Sequence, residues 1–183
     1  MNTITFQTNL SSGRLAEGVI ANWLRRRGNT VIPAYELESV GQKGPQVYAP
    51  NFELVAPDLL VWKDGKTCWI EAKSKSVFAW NRTTKAWVTG IDLHYYEQYQ
   101  KVLSHFEFKW DVWLLFLHSS SIPSDADLRH GCPVKCPTGL FGNSLNVLRS
   151  VEHSRDLRWG RTGMVYWQHS SLKLLATPLQ ESQ

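Results

Sequence analysis

Residues 56–76 read APDLLVWKDGKTCWIEAKSKS, with an acid near each end and alternating apolar residues between them. Asp64-Gly65 at the centre is the strongest short hairpin signal in the chain, since a two-residue type I′ loop needs positive φ at both positions. Strands are therefore expected at Leu59–Lys63 and Thr67–Lys73. The loop also sets the register: Lys63 opposite Lys66, Trp62 opposite Thr67, Val61 opposite Cys68, Leu60 opposite Trp69 and Leu59 opposite Ile70. The next pair outward is Asp58 with Glu71. A four-residue loop on the same centre keeps this register, whereas an odd-length loop shifts it by one.

Directly opposed residues point to one face, with Cβ atoms roughly 4.5–5.5 Å apart. Lys73, two residues beyond Glu71, shares that face. Asp58, Glu71 and Lys73 are thus expected to converge at one end of the hairpin. Two opposed carboxylates destabilise a sheet unless one is protonated or a divalent cation lies between them. A carboxylate pair with room for water suits Mg²⁺, which takes oxygen ligands and keeps several waters. The plainer alternative is a turn aspartate beside an ordinary Glu71–Lys73 ion pair at a strand end.

Outward from the hairpin, a helix is expected from about Ser12 to Arg27, capped by Ser11 or Ser12 and ended by Gly28. Leu15, Ala16, Val19, Ile20, Trp23 and Leu24 form its apolar face, with Glu17 at the margin. Thr30–Leu37 reads as a strand that Pro33 consigns to an edge, and Ser39–Asn51 as a Gly/Pro-rich loop. VFAWNRTTKAWV is a second hairpin turning near Thr83-Thr84. Asp92 caps a helix over LHYYEQYQKVLSHF, and Val112–His118 is a buried strand. From Ser119 to Gly163 the chain reads as loop-rich, with a short helix around Leu145–Val151, followed by extended pieces at Met164–Gln168 and Leu172–Ala176. This order points to an α/β domain on a mixed sheet.

The 183 residues suit one domain with a substantial core, and nine tryptophans argue against disorder. No apolar run approaches the roughly 20 residues that span a bilayer. The start lacks a secretory pattern, and three cysteines favour a reducing compartment. An intracellular protein, cytoplasmic or nucleoid-associated, is expected. A net charge of +4 permits a polyanionic partner without demanding one.

Pro57-Asp58, a hairpin and Glu71-Ala72-Lys73, set between a helix carrying Glu17 and a helix beginning near Asp92, resemble the PD-(D/E)xK nuclease superfamily over about Gly13 to His118. The resemblance implies an α/β fold with a restriction-endonuclease-like core, a mixed central β-sheet flanked by helices, and a loop-rich C-terminal third. A single domain would span 1–183, with its core at about 12–118 and an elaboration at about 119–183. It further implies that Asp58 and Glu71 hold a divalent metal, Mg²⁺ with Mn²⁺ as a substitute, aided by the Ala72 backbone carbonyl. Lys73 would orient or activate the attacking water and offset transition-state charge, and Glu17 would be a supplementary acid of the metal site. Glu36 on the intervening strand is a further candidate acid.

Other groups carry weaker signals. Lys75 shares the face of Lys73 and reads equally as a phosphate contact or a solvated lysine. Trp80 and Trp87 interleaved with Arg82 and Lys85 suit single-stranded or distorted nucleic acid, and suit an ordinary hairpin with a cross-strand Trp pair as well. Some superfamily members carry Gln-x-x-x-Tyr on the second helix; that spacing is absent here, leaving Gln98 or Tyr99 as candidates near the site against simple packing of the tyrosines. Arg25-Arg26-Arg27 favours the helix dipole. Arg155, Arg158 and Arg161 around Trp159 form a candidate phosphate-contacting rim. His130, Cys132 and Cys136 raise a zinc question without a fourth ligand, Cys68 reads as core, and no Walker-type or dinucleotide-binding glycine loop is present.

The expected function is a metal-dependent DNA endonuclease, of a structure-specific kind serving recombination, repair or junction resolution, or one from a phage or mobile element. RNA is not excluded, and junction resolution would require two sites and hence a homodimer. The alternatives are an inactive nuclease-like nucleic-acid-binding module, or a protein of another class in which the acids merely form ion pairs.

Overall fold

A computed structural model describes residues 3–34, 45–49, 51–106 and 109–177. The chain opens with α1 (Thr3–Arg26), which starts well upstream of the expected Ser11 or Ser12 cap. No proline interrupts residues 3–12, and serines are tolerated inside a helix that tertiary contacts support. Ala16, Ile20 and Leu24 form its buried row, whereas Leu15, expected on the same face, is 71% exposed. At about 100° per residue, Leu15 lies farther round from the centre of that row than Glu17 does. Gly28, at φ 79°, lets the chain leave the helix, and Lys63 Nζ donates to the Arg27 carbonyl at 2.7 Å.

β1 (Thr30–Pro33) is an edge strand, as Pro33 requires. The segment expected as a Gly/Pro-rich loop contains instead β2 (Gln46–Ala49), which pairs antiparallel with β3 (Phe52–Val55). β4 (Leu59–Lys63) and β5 (Lys66–Lys75) follow. They pair in the register set out above, from Lys63↔Lys66 to Leu59↔Ile70. Asp64 (φ 50°) and Gly65 (φ 75°) are both left-handed, the geometry of a type I′ loop. β6 (Ala79–Asn81) and β7 (Ala86–Asp92) form the second hairpin, and Asn81 Oδ1 accepts the N–H groups of Thr83 and Thr84 at 3.0 Å inside its loop. Asp92 caps α2 (Leu93–His105) by accepting the His94 N–H at 2.9 Å. The chain then returns through β8 (Asp111–His118), parallel to β5.

Beyond Ser119 there is more strand than the composition suggests. After α3 (Asp125–Arg129), β9 (Gly139–Ser144) is buried along its whole length and pairs with β8; α4 (Leu145–Ser150) continues from it. β10 (Ser154–Asp156), β11 (Met164–Gln168) and β12 (Lys173–Ala176) complete the chain. The central sheet runs β1-β4-β5-β8-β9-β12, mixed because β5 and β8 are parallel; a smaller sheet runs β10-β11-β7-β6.

The central sheet is buried on both faces. Ile20 and Leu24 of α1 pack over Leu59, Val61, Ile70, Ala72 and Leu115 on one face. On the other, Trp69, Leu114 and Phe116 meet Tyr96, Tyr99, Val102 and Leu103 of α2, with Val165 and Trp167 of the smaller sheet. This is a mixed central sheet flanked by helices, the architecture expected from the sequence. No described helix is long and apolar enough to cross a membrane.

Candidate active site

Glu71 lies in the middle of β5, flanked by β4 and β8, so its backbone is fixed on both sides. Strand alternation turns Glu71 and Lys73 toward the face covered by α2, while Ile70 and Ala72 face α1. Asp58 precedes β4, and its Oδ2 accepts the Ala72 N–H at 2.8 Å. That bond seats the Asp58 carboxylate beside the Glu71-Ala72-Lys73 triplet. Lys73 Nζ forms an ion pair with Glu71 Oε1, the two side chains being 29% and 1% exposed. The site therefore opens to solvent at Lys73 and closes at Glu71. Glu71 Oε2 is buried without a hydrogen-bond partner.

Burial, and then the nearby Glu71, push the Asp58 carboxyl up to about 8, with Lys73 and the Ala72 N–H working the other way. Glu17 adds to the rise, which places the α1 acid within electrostatic reach of Asp58. Burial alone would lower the Lys73 ammonium, but Glu71 and Asp58 outweigh it and hold the proton more firmly than usual. Lys75, two residues on, is lowered to about 8 by burial and by Lys73. Its neighbour across the parallel pair, His118, is fully buried, stacked on Phe78 at 3.6 Å, and depressed to about 3 by burial and then Lys75.

Two tyrosines one helical turn apart complete the wall. Tyr99 is 1% exposed; burial and then the charges of Glu71 and Asp58 raise its hydroxyl well above the ordinary value. Tyr95 stacks on Tyr99 and lies under Lys73, whose Nζ is 5.4 Å from the ring centroid. Tyr95 was not singled out in the sequence, although its i,i+4 spacing to Tyr99 was visible.

The arrangement suits a hard cation in its donor chemistry. Asp58, and Glu71 with its orphaned Oε2, present carboxylate oxygens, the ligand type that Mg²⁺ and Mn²⁺ take. Among the described residues no three His, Cys, Asp or Glu side chains form a metal cluster by themselves. A cation here would therefore depend on two carboxylates with backbone and water oxygens, the economy usual for Mg²⁺.

Other candidates stand elsewhere. Gln98 lines a groove of about 810 Å³ with Glu53, Leu54 and Lys101, none of which belongs to the Asp58–Glu71–Lys73 group. Trp80 and Trp87 pack edge to face across β6–β7 at 5.0 Å, the cross-strand pair of an ordinary hairpin, with Arg82 and Lys85 exposed near its tip. Of the proposed arginine rim, Arg155 is bound by Glu152 and Arg158 by Asp156, so two of its charges are already balanced. Cys132 and Cys136 are buried, and the Cys136 sulfur accepts the Phe78 N–H at 3.3 Å. Cys68 is half-buried against the α1-side core. Glu36 lies outside the described residues.

No family model matches the chain, and no curated protein matches its sequence. Among solved structures it is similar to Hjc, a Holliday junction resolvase from the archaeal hyperthermophile Archaeoglobus fulgidus, at 10% identity, covering 87% of this chain and 90% of that one with a TM-score of 0.49. The order of helix, hairpin, helix and strand is the one read from the sequence, with the last strand parallel to β5. A fold hosts many activities, so the chemistry has to come from the side chains.

Proposed function

We propose that this chain is a metal-dependent nuclease that hydrolyses phosphodiester bonds in DNA at the Asp58–Glu71–Lys73 site. The observation that carries this is the buried, unpartnered Glu71 Oε2 beside a carboxyl whose proton is held by burial and by Glu71 itself. Such a pair is costly in a folded protein unless a cation relieves it. Asp58, Glu71 and the Ala72 carbonyl would hold the cation, with Glu17 as a supplementary acid behind Asp58. Bound there, Mg²⁺ or Mn²⁺ would polarise a phosphoryl oxygen and lower the pKa of a coordinated water.

Lys73 keeps its proton against the two acids, so its part is to place a positive charge against the phosphate and orient the attacking water, not to remove a proton. Lys75 adds a second, less firmly charged nitrogen along the same strand face. Junction or other branched DNA is the substrate class proposed within this activity, and paired cuts there would call for a homodimer.

The test is incubation with linear, circular, single-stranded and branched DNA, and with RNA, in Mg²⁺ or Mn²⁺. Wild type should cleave DNA, while Asp58→Ala and Lys73→Ala bind without cleaving. Binding without cleavage in either metal would make the chain a nucleic-acid-binding module. Neither binding nor cleavage would overturn both.

A further inference from the structure

The Lys73 ammonium has two neighbours of different kinds: Glu71 Oε1, with which it forms an ion pair, and the face of the Tyr95 ring, 5.4 Å from Nζ to the centroid. The first is conditional. Under the activity proposed above, on which this inference rests, the Glu71 oxygens turn to a divalent cation and their hold on Lys73 weakens. The second is not conditional. An aromatic face attracts an ammonium through its quadrupole but carries no net charge and offers no strong ligand to Mg²⁺. A further carboxylate in that place would add to the repulsion already present between Asp58 and Glu71.

The ring is itself fixed. Tyr95 stacks on Tyr99 at 6.3 Å and 24°, and His94 meets it edge-on at 5.7 Å. Tyr99 is anchored in the core, whereas Tyr95 remains 36% exposed, at the open end of the site where Lys73 also emerges. An exposed aromatic held rigidly under a cation is poorly explained by packing.

We propose that Tyr95 is a positioning residue that keeps the Lys73 ammonium at the mouth of the site once Glu71 engages the metal. Its ring, not its hydroxyl, performs this role.

Two readouts test it in the full chain. The first needs no cleavage: the Cε protons of Lys73 should show an upfield ring-current shift by NMR in wild type and Tyr95→Phe, retained on adding magnesium chloride and lost in Tyr95→Ala. The second is steady-state cleavage, where Tyr95→Ala should lower kcat about five- to tenfold with KM little changed, and Tyr95→Phe should restore the rate. Unchanged thermal melting of Tyr95→Ala would separate this from a folding defect. A Lys73 resonance without the shift in wild type, or one that loses it when magnesium is added, would overturn the proposal. So would a Tyr95→Ala rate equal to wild type. If wild type cleaves nothing, the nuclease function falls and the resonance arm alone decides the role of Tyr95.

Discussion

Replacing Lys73 by Met would leave the Glu71 carboxylate, 1% exposed, with no cation beside it, only the Asp58 carboxyl and the Tyr99 hydroxyl. Removing one member of a buried pair costs about 3–5 kcal/mol, because the other charge stays desolvated and unpaired. Lys73→Met should therefore lose on the order of 3 kcal/mol in urea unfolding with EDTA present. Adding Glu71→Gln to the same chain should recover most of that loss, since a neutral amide needs no counter-charge. Mg²⁺ should also recover part of it in the single variant and none in the double. A Lys73→Met chain as stable as wild type in EDTA would mean that Glu71 is not the buried, lysine-dependent charge seen here. Both residues were legible in the sequence from the period of the strand and the register of the turn. Tyr95 was not, because an aromatic on an amphipathic helix has the same spacing whether it packs the core or supports a cation.

Among the elements, the β4–β5 hairpin determines whether the site exists. Its register follows from the two left-handed residues of the loop, Asp64 and Gly65, and strand pairing alternates faces with every residue. Gly65→Ala meets no atom within 4 Å but keeps φ at 75°, so it should cost only about 1 kcal/mol and leave cleavage intact. Inserting one glycine between Asp64 and Gly65 should do far more, since a one-residue slip opposes Asp58 to a neighbour of Glu71 that points to the other face. Circular dichroism should then show a folded protein while the Mg²⁺-induced rise in melting temperature disappears. An insertion variant that keeps its full Mg²⁺ response would separate the cation from this register. The hairpin could be deduced because its determinants are local. β9 could not: its sequence GLFGNS has two glycines and no alternation, and it is a strand because β8 and β12 hold it on both sides. Gly142 shows the dependence, since a Cβ there would lie 2.6 Å from the Leu114 carbonyl oxygen. β2, inside a Gly/Pro-rich segment, likewise owes its state to its partner β3.

At the scale of the molecule, the core between β1 and β8 could be inferred from patterns of short range, whereas the smaller sheet joins β7 to β11 across more than seventy residues and left no local signature. The fold's most telling global property is its response to protons. The Asp58 carboxyl moves from 3.8 to about 8 on folding, through burial and then Glu71. A raised folded value means that the protonated form is preferred in the native state, so the associated stability is complete below about 4 and is lost as pH climbs through about 8. His118, depressed from 6.5 to about 3 by burial, acts in the opposite sense but only below 6.5. Lys75, lowered from 10.5 to about 8 by burial and Lys73, also acts in the opposite sense, mainly above about pH 7.5. Between about pH 6.5 and about 7.5, Asp58 should therefore dominate, and the ion-free protein should become less stable as pH rises. A divalent cation competes with that proton, so the gain in melting temperature on adding Mg²⁺ should grow across the same window and level off above about 8. Melting curves in EDTA and in excess Mg²⁺ give both slopes. Asp58→Asn, which keeps an acceptor for the Ala72 N–H, should abolish both. If the variant retains either slope, the titrating group is not Asp58, and the cation would have to be sought away from the hairpin.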